Sequence, residues 1–175
     1  MKKEKLKITV FEMTVFGMLG ALMYASKVIM SALPNIHLLG MLITAQTLVF
    51  RKKALYPIYI FVFLTGLING FSAWWVPYLY IWTVLWAAVM LIPRGLSGRR
   101  LCILCCIICG LHGLLYGTLY APFYAIVMHL DLAGALSWIL AGLPFDAVHA
   151  VSNVICALLT IPVAKILKRA MRGNL

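Results

Sequence analysis

Long apolar stretches, separated by short polar or basic runs, make up almost the whole of this chain. A helix must carry about 20 mostly apolar residues to cross the hydrocarbon core of a bilayer. The pattern therefore predicts an all-α membrane protein, with six transmembrane helices in a single integral membrane domain over residues 1–175. The predicted helices cover about 8–33, 35–50, 54–71, 75–92, 101–120 and 139–167. The stretch 129–138 is compatible with an outer loop, an interfacial helix or a re-entrant segment, and the sequence leaves these open.

Composition supports the membrane assignment. Of the 175 residues, 65% are hydrophobic and only 11% are charged, whereas a soluble domain is about half apolar and a quarter charged. A net charge of +11 in a soluble protein would suggest nucleic acid. Here the basic residues stand in short runs between apolar stretches, which is typical of membrane topology signals and of contact with anionic lipid. We therefore expect membrane lipid, and no nucleic acid, as a partner.

The basic residues fall in four places that a six-helix chain puts on one side of the bilayer. These places hold Lys2, Lys3, Lys5, Lys7, Arg51, Lys52, Lys53, Arg94, Arg99, Arg100, Lys165, Lys168, Arg169 and Arg172. Only Lys27 is left over, and the predicted outer connections contain no Lys or Arg. The positive-inside rule makes the basic side cytoplasmic, so both termini are expected there.

Aromatic residues gather at the predicted outer ends of the helices. They are Trp74, Trp75, Tyr78, Tyr80, Trp82, Tyr116, Tyr120, Phe123, Tyr124 and Trp138. An interfacial aromatic belt explains this distribution. Flat faces that stack on an organic ligand explain it as well, and the two interpretations overlap.

A polar group in the outer half of the bundle is the predicted substrate site. Asp146, His149 and Asn153 follow helical spacings and share one face, which should point to the protein interior. Lys27 lies at a similar depth on the first helix and is the expected partner of Asp146. The alternatives are an ion pair that merely joins two helices, and a lysine whose charge reaches the interface. The predicted substrate-binding set is Lys27, Asn35, His37, Trp75, Tyr116, Asp146, His149 and Asn153.

A cysteine cluster on the fifth predicted helix invites a metal or redox interpretation. Cys102, Cys105, Cys106 and Cys109 form the pattern C-x-x-C-C-x-x-C. The segment is apolar and no acid or histidine stands within the cluster, so packing is the preferred explanation. Hydrolase motifs and a P-loop are absent from the sequence. We expect no catalytic residues, no metal site and no cofactor bound by this chain, and hence no enzyme.

Small residues recur on the first helix at Gly17, Ala21 and Ala25, a spacing that lets another helix approach closely. With this A-x-x-x-A pattern and the stretch 34–40, the chain resembles the substrate-binding S components of energy-coupling factor (ECF) transporters. These are bacterial vitamin-uptake systems, and the size and the six predicted helices agree with them. The N-terminal Met of the metal-specific branch has a His close behind it, whereas this chain begins Met1-Lys2-Lys3, which argues against cobalt or nickel.

The resemblance implies a substrate-binding subunit in the bacterial cytoplasmic membrane. Ala21 and Ala25 would contact the transmembrane T component, a pair of ATPase subunits would use ATP, and the loop within 34–40 would gate the site. The ligand would be a small vitamin-like micronutrient captured on the outer side. A membrane thiol oxidoreductase and a partner-independent small-solute facilitator are the alternatives. The identity of the ligand, and whether the partner module is shared or dedicated, stay open.

Overall fold

The computed structural model describes residues 8–171 and is built from helices and their connections, with no strand in that range. The prediction of an all-α fold is confirmed for this part of the chain. The basic residues Lys2, Lys3, Lys5, Lys7 and Arg172 lie outside it. The α-helices are α1 (Val10–Ile29), α2 (Leu39–Phe50), α3 (Leu55–Asn69), α4 (Tyr78–Met90), α5 (Gly98–Leu114), α6 (Tyr116–Val127), α7 (Leu132–Ala157) and α8 (Thr160–Ala170). Short 3₁₀ turns cover Met30–Ala32, Arg51–Ala54 and Ala73–Trp75.

The helices of the first half start and stop inside the predicted bounds. The largest differences are four residues each: α1 ends at Ile29 instead of 33, and α2 begins at Leu39 instead of 35. Pro34 and the positive φ of Asn35 (60°) interrupt the helical path, because an L-residue in that region cannot continue a right-handed helix. Residues 33–38 therefore form an irregular segment between α1 and α2.

The second half differs from the prediction at three points, one of which is that the sixth predicted helix is divided at Leu158 and Leu159 into α7 and α8. The fifth predicted helix divides at Leu115 into α5 and α6, and α6 runs on to Val127 instead of stopping near residue 120. The sixth begins at Leu132, earlier than the predicted 139, because the Asp131 side chain accepts from the backbone N–H of Gly134 and caps the helix there. Most of the stretch 129–138, left open by the sequence, is thus the first part of α7.

Four helical segments within residues 8–171 are long and apolar enough to cross a membrane, which indicates a membrane protein. They are Val10–Ala32, Ala73–Met90, Gly98–Val127 and Leu132–Ala157. Helices α2 and α3, with 12 and 15 residues, fall below the length of a spanning helix. Large apolar side chains such as Ile29, Leu140 and Val151 are exposed on the outside of the bundle, as expected where lipid is the solvent.

One end of the bundle carries most of the basic residues within residues 8–171, and we call it the basic end. Lys53 Nζ lies 2.6 Å from Glu12 Oε1, which joins the start of α1 to the start of α3. Arg51 donates to the carbonyl oxygen of Met90 at 2.7 Å, which joins the ends of α2 and α4. Met171 is buried in the hydrophobic cluster at this end, and Ile8 packs against the same cluster. Both limits of the described chain therefore lie at the basic end.

Helix α1 starts at a reciprocal cap. The Thr9 hydroxyl accepts from the backbone N–H of Glu12 at 3.1 Å, and the Glu12 carboxylate accepts from the backbone N–H of Thr9 at 3.0 Å. These two bonds satisfy N–H groups that a helix start leaves free. The same carboxylate binds Lys53, so the first turn of α1 is fixed to the rest of the basic end.

The opposite end, which we call the aromatic end, is joined by tyrosine hydroxyls. Tyr24 donates to Asn69 Oδ1 at 2.9 Å and so connects the ends of α1 and α3. Tyr120 donates to the carbonyl oxygen of Trp74 at 2.6 Å and connects α6 to the turn before α4. The same groups that mark an aromatic belt therefore also hold the helix ends together.

Helices α5 and α7 pack against each other through glycines, which lets their backbones come close. A Cβ atom at Gly113 would lie 2.9 Å from the backbone Cα and N of Ala150, and one at Gly110 would lie 2.7 Å from a methyl of Val154. Close approach of this kind is typical of membrane helix pairs, which gain their stability from packing. It fixes the level at which the polar residues of α7 face α5.

The close contact of α5 and α7 predicts that Gly113→Ala lowers stability. The added methyl meets backbone atoms that cannot move without separating the two helices, and the expected cost is about 1–3 kcal/mol. Gly17→Ala on α1 is the matched control, since its Cβ would meet nothing within 4 Å. It should leave stability unchanged or raise it slightly. Thermal unfolding in detergent measures both, and equal midpoints for the two variants would contradict the packing described.

Candidate functional site

Five aromatic and imidazole side chains meet inside the bundle, toward the aromatic end. We call this group the imidazole–indole cluster. Its members are His37, Trp82, His112, Tyr116 and His149. They come from the segment 33–38 and from α4, α5, α6 and α7, so that most of the bundle contributes to one place.

The cluster has the shape of a closed ring. The centroids of His37 and His149 are 4.4 Å apart, and those of His149 and Tyr116 are 4.9 Å apart. Trp82 closes the ring, at 6.0 Å from both Tyr116 and His37. His112 packs on its side, 5.8 Å from Trp82 and 6.3 Å from Tyr116. Trp82, His112 and His149 are buried, whereas His37 and Tyr116 are partly exposed.

Local structure explains how each member reaches the cluster. Trp82 follows Tyr78 by four residues and precedes Leu85 and Val89 on the buried stripe of α4. His112 stands near the end of α5, and the break at Leu115 redirects the chain so that Tyr116 opens α6. His37 is carried in by the irregular segment 33–38, which would not exist if α2 began at residue 35.

Four nitrogen atoms of the cluster are buried without a hydrogen-bond partner among the described protein atoms. They are His37 Nδ1, Trp82 Nε1, His112 Nδ1 and His149 Nε2. His112 Nε2 lies 3.1 Å from the carbonyl oxygen of Ile81, which only accepts, so Nε2 is the donor. In a neutral ring Nδ1 is then left as an acceptor. An unpaired buried polar group costs about 1–3 kcal/mol, so the cluster brings together donor and acceptor positions that the described protein atoms leave unsatisfied.

Asp146 lies one turn of α7 before His149 and is buried. Both of its carboxylate oxygens accept from the backbone N–H of Gly117 at 3.1 Å. A Cβ atom at position 117 would lie 2.5 Å from Asp146 Oδ2, so the contact depends on glycine. The carboxylate thus sits against the start of α6, directly beside the position of Tyr116.

The expected ion pair between Lys27 and Asp146 is absent from the structure, and this part of the prediction is wrong. The Lys27 ammonium lies over the rings of Trp74 and Tyr78, 5.5 and 5.8 Å from their centroids. The half-buried lysine therefore finds a cation–π environment at the aromatic end. Tyr78 packs edge-on against Trp82 at 5.5 Å, so Lys27 borders the cluster through one ring.

Asn153 lies one turn further along α7, on the side of the cluster that faces the basic end. Its Nδ2 donates to the carbonyl oxygen of Cys109 at 3.2 Å, and its Oδ1 is buried without a partner. A Cβ atom at Gly40 would lie 3.1 Å from that oxygen, so α2 passes close by. Asn153 extends the polar face of α7 beyond the ring.

Two other members of the predicted substrate set lie outside the cluster. Trp75 donates its indole N–H to the carbonyl oxygen of Val62 at 2.8 Å and packs edge-on against Phe71. Asn35 is half-buried and takes the positive φ that turns the segment 33–38. Trp75 thus fixes the turn before α4, and Asn35 shapes the segment that places His37 in the cluster.

Sequence reasoning left Trp82 and His112 out of the substrate set. Trp82 was grouped with the interfacial aromatic residues, and its place on a stripe with Leu85 and Val89 was the signal for burial. His112 is not in the predicted set either. Its spacing of four residues from Tyr116 predicts that the two side chains lie on the same face of a helix, and this was the signal that could have placed it beside Tyr116.

The cysteines occupy the packed face of α5. Cys105 and Cys109 are buried, Cys102 and Cys106 are half-buried, and all are free thiols. Cys109 Sγ lies 3.1 Å from Thr44 Oγ1 and 3.7 Å from the carbonyl oxygen of Gly40. Within residues 8–171, no group of three or more His, Cys, Asp and Glu side chains is arranged to hold a metal ion.

No family model, curated protein or solved structure matches the chain.

The contact between Asp146 and Gly117 predicts a measurable coupling between the two positions. Gly117→Ala should destabilise the protein because the methyl displaces the carboxylate, and Asp146→Ala should do so because it leaves a buried N–H unpaired. The double variant should lose less stability than the sum of the losses in the two single variants, by about 0.5–3 kcal/mol, because both changes remove the same contact. Thermal or denaturant unfolding measures the four corners of this cycle. Gly142→Ala on α7, whose Cβ would meet nothing, is the control, and strict additivity would contradict the contact.

Proposed function

We propose that this protein is the substrate-binding subunit of an ECF-type importer in the bacterial cytoplasmic membrane. It captures a small vitamin-like micronutrient from the outer side. A transmembrane T component and a pair of ATPase subunits then drive uptake with ATP, and the chain itself is not an enzyme.

The observation that carries the proposal is the imidazole–indole cluster with its four unpartnered nitrogen atoms. Ligand sites of this kind are mostly aromatic or apolar and contain a few polar groups that fix the orientation of the guest. Trp82 offers an N–H, His112 offers an acceptor nitrogen, and the ring faces offer stacking surfaces. A flat organic molecule with polar edges satisfies both kinds of group at once.

The segment 33–38 supports a gating role over this site. It is irregular, it connects α1 to the late start of α2, and it places His37 against His149 at 4.4 Å. In the S components that the chain resembles, the loop after the first helix gates the ligand. A movement of the segment 33–38 away from α7 would open the ring between His37 and His149.

The proposed topology has six membrane crossings with both termini and the basic end in the cytoplasm. The short helices α2 and α3 complete the six, extended by the segment 33–38 and the turn Arg51–Ala54. The positive-inside rule supports the orientation, because Arg51, Lys52 and Lys53 gather at the basic end, whereas the basic residue at the aromatic end within residues 8–171 is Lys27. The cluster then faces the outside, where a solute enters.

The proposed contact with the T component lies on α1. Ala21 and Ala25 are exposed on the outer surface of the bundle, and Gly17 on the same stripe has open space around its Cβ position. This leaves a smooth strip of helix free for close packing by a partner.

The ligand proposal is tested by extracting small molecules from the purified protein and identifying them by mass spectrometry. Wild-type protein should carry a vitamin-like compound in near-stoichiometric amount. Trp82→Phe and His149→Gln should bind it about tenfold or more weakly. The first removes the indole N–H that would donate to a buried guest, and the second removes the imidazole ring on which the guest would stack. Trp86→Phe is the matched control, since its indole N–H donates to the carbonyl oxygen of Arg51 at the basic end. Equal binding by Trp82→Phe, His149→Gln and wild type would overturn the site.

Ligand binding by cysteine variants, and uptake in liposomes, separate the alternative functions. Replacing Cys102, Cys105, Cys106 and Cys109 by Ala should leave ligand binding unchanged, whereas a thiol oxidoreductase would lose its function. Uptake by the purified chain alone in liposomes would point to a facilitator and contradict the need for partners.

The partner proposal predicts that Ala21→Leu together with Ala25→Leu prevents assembly without loss of ligand binding. The larger side chains fill the strip that a partner helix needs. Co-purification with a T component and its ATPase pair measures assembly. A control with Ala87→Leu, an exposed position on α4, should assemble as wild type does. Normal assembly of the α1 double variant would rule out this surface as the contact.

A further inference from the structure

A groove opens at the basic end, away from the imidazole–indole cluster. It has a volume of about 350 Å³ and lies between the end of α2, the start of α5 and the helix α8. Leu48, Leu101 and Ile161 supply aliphatic lining, one from each of these helices. A small hydrophilic ion would leave this apolar lining uncovered.

Two lysines complete the same groove. Lys165 and Lys168 stand three residues apart on α8, so their side chains leave the same face of the helix. Both are exposed, and neither forms an ion pair within residues 8–171. Among the described residues at this end, the one carboxylate is that of Glu12, which is engaged by Lys53. The two ammonium groups therefore present positive charge beside an apolar lining, with no acidic partner within residues 8–171.

Helix α8 separates its polar and apolar residues more sharply than the other helices do. Lys165, Lys168 and Arg169 are exposed, whereas Leu167 packs against the hydrophobic cluster at the basic end. A basic amphipathic helix of this kind is typical of a membrane interface, where headgroups meet acyl chains. The groove therefore lies where a lipid headgroup and an apolar surface are within reach of each other.

We propose that this groove binds one anionic phospholipid. Its phosphate lies between the ammonium groups of Lys165 and Lys168, and an acyl chain covers Leu101 and Ile161. Basic pockets between membrane helices on the cytoplasmic side are known to suit anionic headgroups. The apolar lining favours a lipid over a free phosphate, since only the lipid has a part that the lining would bind. The proposal requires a membrane protein and does not depend on the transported ligand.

Binding of a fluorescent phosphatidylglycerol to the purified full-length protein in detergent tests the proposal. Lys165→Gln and Lys168→Gln should each weaken binding several-fold, and the pair should weaken it roughly tenfold or more. Arg169→Gln removes the same charge from the same helix but lies outside the groove lining, so its affinity should stay within about twofold of wild type. Equal loss in all three single variants would show a diffuse basic surface and overturn the site.

Two further arms separate the lipid from a free anion. Ala164→Trp fills the groove and keeps the charge, so it should weaken binding of phosphatidylglycerol while unfolding as wild type does. Inorganic phosphate at millimolar concentration should compete poorly, and phosphatidylcholine should bind more weakly than phosphatidylglycerol. Unchanged binding by Ala164→Trp, or full displacement by inorganic phosphate, would contradict a lipid site.

Discussion

Hydrogen bonds inside a membrane bundle have no water on the outside to replace them, and this constraint governs the structure. Hydroxyl groups within the helices turn back to their own backbone, as Thr47 and Thr65 do at 2.7 and 2.8 Å. Asp146 accepts from the backbone N–H of Gly117, and Glu12 accepts from Lys53 and from the backbone N–H of Thr9 at the start of α1. The nitrogen atoms of the imidazole–indole cluster depart from this rule, as do buried polar atoms of Gln46, Ser152, Asn153 and Thr160. In the cluster the unpaired atoms come from four aromatic and imidazole rings that lie together, so that one bound molecule could pair with several of them.

The constraint acts through close packing of glycine-containing helices. Gly110 and Gly113 allow α5 to approach α7, and Gly117 continues the contact into α6. At that separation His112, Tyr116 and His149 face each other across the seam. Larger residues at the glycine positions would force the helices apart and so change how the rings pack. The packing of α5 against α7 is therefore a condition for the site as well as for the fold.

Periodicity and charge were sufficient to predict the helical fold and most helix positions, because long apolar runs leave few other structures possible in lipid. Two of the bounds that failed depend on single residues. Asn35 takes a positive φ and delays α2, while Asp131 caps α7 early. Such local interactions decide where a helix begins, and the hydropathy pattern of the sequence does not show them.

The members of the imidazole–indole cluster were predicted in part. His37, Tyr116 and His149 were in the predicted set and lie in the cluster, whereas the pairing of Lys27 with Asp146 was wrong. Lys27 and Asp146 were expected to lie at the same depth in the membrane. Depth does not determine which face of its helix each side chain occupies, and so does not determine its partner. Trp82 was missed because aromatic residues near helix ends have two explanations, and only the stripe that it shares with Leu85 distinguishes burial from the interface.

The central claim is that the cluster holds a polar guest. The most direct measurement is a high-resolution density map of the protein purified from its host membrane, in complex with its lipids. The predicted result is non-protein density within hydrogen-bonding distance of Trp82 Nε1 and of at least one free imidazole nitrogen. An empty or water-filled ring, or nitrogen atoms paired only with one another and with protein carbonyls, would contradict it.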